Sequence, residues 1–219
     1  MHTYRKLTKQ DHQVILASLL GDGCAYHRKP CKEKSLVLSS KNRKYLLYKC
    51  LDLGKNLFSE RGFKAMDNSA GFKKGSKIYS KESFSHPEIT KLAQQDPTKW
   101  VESLDECGLA LWFFDDGSLH QKKKFYHLYT NAFTKEQVES FIDILKRKFG
   151  VEGRLRFDRK KDGRSFPYIY FGTESAKIIS AILSKYGGHE LNYKIIPSST
   201  TISKESRDQE VSKLGASEK

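Results

Sequence analysis

Two short apolar stretches, far apart in the chain, end in the same way, and this constrains the fold more than any other feature. HQVILASLLGDG occupies residues 12–23 and ECGLALWFFDDG residues 106–117. Each is a helix-length apolar run closed by an acid and a glycine, and Asp22 and Asp116 stand 94 residues apart. The segments after the two runs are also alike. A basic, alternating, strand-like stretch comes first, SLVLSS at 35–40 and FYHLYTNAF at 125–133. An amphipathic helix is then expected at about 42–58 and at 134–149, the second opened by Thr134 and Gln137 in capping-box spacing. Further strands are expected around 63–67 and 76–84, and at 154–159 and 167–172. Closing helices are expected at 86–94 and 174–186. The chain therefore reads as an α+β protein of two αββαββα halves, 1–103 and 104–197, joined near DPTKWVES. Residues 198–219 carry four charges of each sign and no aromatic, and read as a disordered tail.

An acid in the last turn of a helix faces the negative end of the macrodipole, at a cost of roughly 0.3–1 kcal/mol. Present twice in matching contexts, the pattern points to carboxylates held for a purpose. A shared divalent cation would relieve both the dipole conflict and their mutual repulsion, and carboxylate oxygens suit magnesium. Gly23 and Gly117 are expected in the left-handed conformation just past a helix end. Both runs are apolar on most faces and need burial nearly all round. Ala17 and Gly21 on one, Gly108 and Ala110 on the other, would let the helices approach closely and bring Asp22 and Asp116 together.

Charge narrows the partner. The 219 residues contain 40 Lys and Arg against 26 Asp and Glu, a formal charge of +14. Residues 23–81 hold a net +11, 82–117 a net −6 and 118–172 a net +7, so two basic blocks flank an acidic one. Such segregation suits a polyanion better than an evenly solvated surface. No run of 18 apolar residues is present, so no membrane-spanning helix is expected. The four cysteines lack metal or disulfide spacing, and with no signal-like N-terminal segment this suggests a reduced, intracellular protein, whether of an organelle or of a prokaryotic or phage host.

ILASLLGDG (15–23) and LALWFFDDG (109–117) together resemble the paired motifs of single-chain LAGLIDADG homing endonucleases. GLALWFFDDGSL is the more specific of the two, and NYKIIP (192–197) is similar to the ending of one branch of that family. The resemblance covers about residues 12–197. It implies a monomer with pseudo-twofold symmetry, a saddle of two antiparallel sheets on double-stranded DNA, and magnesium-dependent cleavage of both strands at a long asymmetric site, with Mn2+ as another possible cation. It assigns Asp22 and Asp116 as catalytic, metal-holding acids, with Asp115 a neighbour, and Lys194 as the basic residue near one scissile phosphate. The first-half counterpart of Lys194 should come just after the helix near 86–94. Gln94, Gln95 and Lys91 all stand in range there, with Gln94 carried forward as the catalytic candidate.

DNA-facing candidates are Tyr26, Arg28, Lys32, Lys73, Lys77 and Lys81 in the first half. In the second they are His120, Lys122, Lys124, Arg154, Arg156 and Arg159. Arg154 and Arg156 share one face of a strand. His120 and His127 rank as base or phosphate contacts before general bases. A mobile-intron endonuclease is the leading reading. An RNA-binding maturase acting on its host intron, or a DNA-binding protein that has lost cleavage, are its rivals; retention of both acids favours the nuclease.

Overall fold

The structure is a computed structural model and describes residues 4–27, 29–67 and 77–197. Helix α1 (Lys9–Leu20) opens on a reciprocal cap: Asp11 N–H donates to Thr8 Oγ1 (3.2 Å) and Thr8 N–H to Asp11 Oδ2 (2.7 Å). Strands β1 (Gly23–His27) and β2 (Lys34–Ser40) form a hairpin that leaves α1 directly. Helix α2 (Arg43–Leu47) runs into a π-helical turn, Tyr48–Leu53, which stops at Gly54. The helix expected to reach residue 58 is thus shorter, because the backbone N–H groups of Leu57 and Phe58 fold back onto the Gly54 carbonyl. Strands β3 (Lys64–Asp67) and β4 (Lys77–Glu82) and helix α3 (Pro87–Ala93) complete the half.

The joint between halves is itself helical. Asp96 caps α4 (Pro97–Ser103), whose Trp100 and Val101 are buried; two apolar side chains four and five residues past a cap were enough to order the linker. The second half repeats the plan with α5 (Glu106–Asp116), β5 (Gly117–His120), β6 (Phe125–Tyr129), α6 (Lys135–Phe149), β7 (Gly153–Arg159), β8 (Ser165–Phe171) and α7 (Thr173–Tyr186). After α7 comes a 3-10 turn, His189–Lys194.

Both sheets are antiparallel and share one topology, β1-β2-β4-β3 and β5-β6-β8-β7. In each, the inward-facing residues are buried under helices, Leu36 and Leu38 in one and Tyr126, Leu128, Ile169 and Phe171 in the other. The two motif helices pack on each other with their C-terminal ends together. At that end Gly21 abuts Asp115, and at the other Gly108 abuts Gln13. Buried Gln13 also crosses between the halves: its Nε2 donates to Ser103 O (3.1 Å), and its Oε1 accepts from the N–H of Asp105 (2.8 Å), the cap of α5.

Gly23 and Gly117 correct the expectation of left-handed caps. Among the described residues, positive-φ glycines are Gly62, Gly150 and Gly163 only. What both positions require is space. A Cβ on Gly23 would come within 2.7 Å of Ser18 O, and one on Gly117 would strike Phe113 O. Each glycine lets the first strand double back across the last turn of its motif helix.

Candidate nucleic-acid cleavage site

The C-terminal ends of α1 and α5 bring three carboxylates to one place, and their surroundings differ. Asp115 is sealed in, its side chain 2% exposed. Its Oδ2 pairs with Lys49 Nζ at 2.5 Å, and its Oδ1 accepts from Tyr45 Oη at 2.7 Å. Tyr45 and Lys49 lie on α2 and the π-helical turn of the first half, so the acid of one half is neutralised by a base of the other. Burial, with Asp115 beside it, pushes the Tyr45 hydroxyl well above its usual range.

Asp22 and Asp116 have no such company. Among the described residues neither makes a hydrogen bond or an ion pair. Asp22 stands at the cleft rim and Asp116 is half-buried. Burial and then Asp115 raise the pKa of Asp22, against the pull of Lys49 and Lys194. Asp116 is pushed up to about 7 by burial and then by Asp22 and Asp115, again against Lys194 and Lys49. The pair is an electrostatic field waiting for positive charge.

Lys194 arrives from the 3-10 turn. It is 8% exposed. Its Nζ donates to Phe114 O at 2.6 Å and lies within 3.4 Å of the carbonyls of Phe113 and Asp115. A cation on the last carbonyls of α5 relieves the dipole conflict that its terminal acids create. Tyr126 Oη holds the Lys194 carbonyl at 2.6 Å, fixing the backbone from β6. Burial lowers the Lys194 pKa, with Asp115, Asp116 and Asp22 opposing. The cleft of about 370 Å³ that opens here is lined by Asp22, Ser39, Lys41, Asn42, Tyr193 and Lys194 among others.

Gln94 is a correction. It is the exposed cap of α3, remote from the cleft lining, because the chain continues from it into α4 and to the N-terminal end of α5. The first-half base beside the acids is Lys49 instead. Its signal was weak: a lysine in YLLYKCLDL reads as the solvated edge of an apolar helix, and only the fold reveals its partner.

The DNA-facing candidates separate by strand register. Tyr26 lies on the face of the first sheet turned away from the helices and is 54% exposed. Lys32 is exposed in the β1–β2 turn. Arg28 and Lys73 lie outside the described residues. Lys81 is a second correction: it pairs with Leu38 on the inward face and is 2% exposed. Its Nζ bonds Arg61 O and sits 4.4 Å from the Phe63 ring centre. Lys77, four residues earlier on the same strand, shares that inward face, although its position at the strand end leaves it exposed. In the second sheet Arg154 and Arg156 do share the outward face, opposite Tyr170 and Tyr168, while Arg159 falls on the other face. His120 is on the outward face, stacked on Phe125 at 4.6 Å, and Lys122 and Lys124 are exposed in the turn that comes next. His127 lies on the same face; burial and His120 lower its pKa.

A duplicated α+β saddle, basic overall, with one unpaired acid from each of two abutting helices between its sheets defines a class of paired-motif proteins. The LAGLIDADG DNA endonuclease family matches residues 12–179, and the chain belongs to that family. It is 25% identical over 206 residues to "Probable intron-encoded endonuclease 1" of Wickerhamomyces canadensis, covering 87% of this chain and 85% of that protein. "Probable intron-encoded DNA endonuclease 3" of Mycosarcoma maydis is 27% identical over 95 residues, 43% of this chain and 66% of that one. Among solved structures, the homing endonuclease I-WcaI bound to its DNA recognition sequence matches with a TM-score of 0.74 at 24% identity, covering 89% of both chains.

Proposed function

We propose that this chain is a site-specific homing endonuclease that cuts both strands of a long asymmetric DNA target, works as a monomer and is encoded by a mobile intron. One observation carries the reading. Asp22 and Asp116, one from each motif helix, meet unpaired while the adjacent Asp115 is fully neutralised. A fold needing only stability would have neutralised all three.

The residues fit a divalent cation, magnesium by preference. Two carboxylates supply hard oxygen ligands, and their raised pKa values mark a site short of positive charge. Magnesium is commonly held by one or two carboxylates, with water and phosphate oxygens completing its coordination. A bound cation would lower the pKa of a water and offset charge on the leaving oxygen. The chain's own contribution is positional. The helix pair fixes the two acids relative to each other. Lys194, held by three carbonyls, keeps a positive charge beside the phosphate, where charge develops in the transition state. The two sheets bind the flanking duplex through phosphates and base edges.

The test is cleavage of a plasmid library carrying randomised and host-derived targets, with magnesium and with calcium, beside an Asp22→Asn/Asp116→Asn protein. A discrete magnesium-dependent double-strand cut, absent in the variant, supports the reading. Tight DNA binding without a cut would mark a protein that has lost cleavage. Absence of specific DNA binding, with binding to structured RNA, would mark a maturase.

A further inference from the structure

The outward faces of the two sheets differ in chemistry. The second carries a cluster of six rings: His120 and Phe125, His127 and Tyr129, Tyr168 and Tyr170. They touch one another at centroid distances from 4.6 to 6.3 Å across β5, β6 and β8. The first sheet presents Tyr26 and otherwise small, aliphatic or charged side chains such as Val37, Ser39 and Ser80. Among its described residues there is no ring-to-ring contact on that face. On the second sheet, outward-facing arginines are confined to β7, the edge strand, as Arg154 and Arg156.

Such a floor cannot read purines through bidentate side chains, because Arg, Lys, Asn and Gln are missing from it. It can contact the one apolar group exposed in the major groove, the thymine C5-methyl. Rings locked against each other lose little freedom on binding, so the surface is preorganised for that contact. We infer that the second sheet recognises its half-site by ring contact with thymine methyl groups, with bidentate guanine readout by strand residues restricted to Arg154 and Arg156 on β7 and phosphate contacts left to these arginines and the turn lysines Lys122 and Lys124. This rests on the nuclease reading and assigns the half-sites different recognition chemistry.

Selection of bound duplexes from a randomised library, using the full chain in calcium, provides the target. The half-site under the second sheet is the one whose footprint weakens in Arg154→Ala/Arg156→Ala. That half-site is then synthesised with uracil for thymine, which removes the methyls and leaves pairing intact. The expected result is a thymine-rich inner segment and a loss of affinity of roughly four-fold for each buried methyl. Uracil in the other half-site is expected to change affinity less than about two-fold. The uracil penalty should shrink in Tyr168→Ser/Tyr170→Ser and, as a milder change, in His127→Asn. Tight binding with no thymine enrichment, or with equal uracil sensitivity in both halves, would overturn the inference and leave the nuclease reading intact. Failure to bind any duplex would overturn both.

Discussion

Lys49 and Asp115 form a buried ion pair across the boundary between the halves, 2.5 Å from Nζ to Oδ2, with side chains 3% and 2% exposed. The pair closes off one carboxylate and thereby singles out the two that remain. Breaking it strands a charge in the interior, which costs about 3–5 kcal/mol. Lys49→Met is expected to lose that much stability in chemical denaturation, and Lys49→Met/Asp115→Leu distinctly less. Equal losses in the single and double variants would show that the two side chains are not coupled.

Asp22→Asn and Asp116→Asn are each expected to reduce double-strand cleavage by at least about 100-fold, in the range of losing one transition-state electrostatic contact. DNA affinity in calcium should stay within a few-fold, since the sheets carry binding. Supercoiled plasmid cleavage and filter binding on the same preparations separate the two effects.

The metal-free protein should become less stable as pH rises from about 4 to 7. Asp116 has its pKa raised from 3.8 to about 7 in the folded state, so folding favours its protonated form. That contribution is complete below the unfolded value and is lost as pH climbs through the folded one. Asp116→Asn removes this contribution and leaves that of Asp22, whose pKa is also raised, and magnesium should restore stability most near and above pH 7, where it no longer competes with the proton. Thermal melts at a series of pH values, with and without magnesium, measure both.

Asp11 should behave in the opposite sense. It is buried, and hydrogen bonds from Thr8 and Asn56 outweigh burial to lower its pKa. Its contribution is present above the unfolded pKa and lost as pH falls through the folded one. Asp11→Ala removes the carboxylate half of the reciprocal cap, leaving Thr8 as the N-cap, and orphans the Asn56 donors, with an expected loss of about 2–3 kcal/mol at neutral pH. Denaturant midpoints at pH 7 and pH 3 should converge between wild type and variant at the acid end.

The periodicity of the chain exposed the duplication, both motif helices, and the partners β7 and β8, because each rests on local alternation and on apolar runs that could only be buried. Long-range choices stayed hidden. Lys81 and Lys77 belong to a basic strand, but which of its faces turns inward is decided by pairing with β2, which no local pattern encodes. Lys49 lies in a stretch whose local pattern carries no sign of its partner, since Asp115 is 66 residues away, and the position of Gln94 depends on α3 being followed by another helix, α4. The glycines after the acids were recognised for the wrong reason: crowding against the motif helix, rather than handedness, selects them.

Gly21 and Asp115 occupy equivalent places in the repeat, 94 residues apart, and they face each other. A Cβ at Gly21 would lie 2.7 Å from that of Asp115. Two copies of the first half would set glycine against glycine and leave a hole; two copies of the second would press carboxylate on carboxylate. At this point of the seam the halves are lock and key rather than mirror images, so the pair is complementary only because its two members differ.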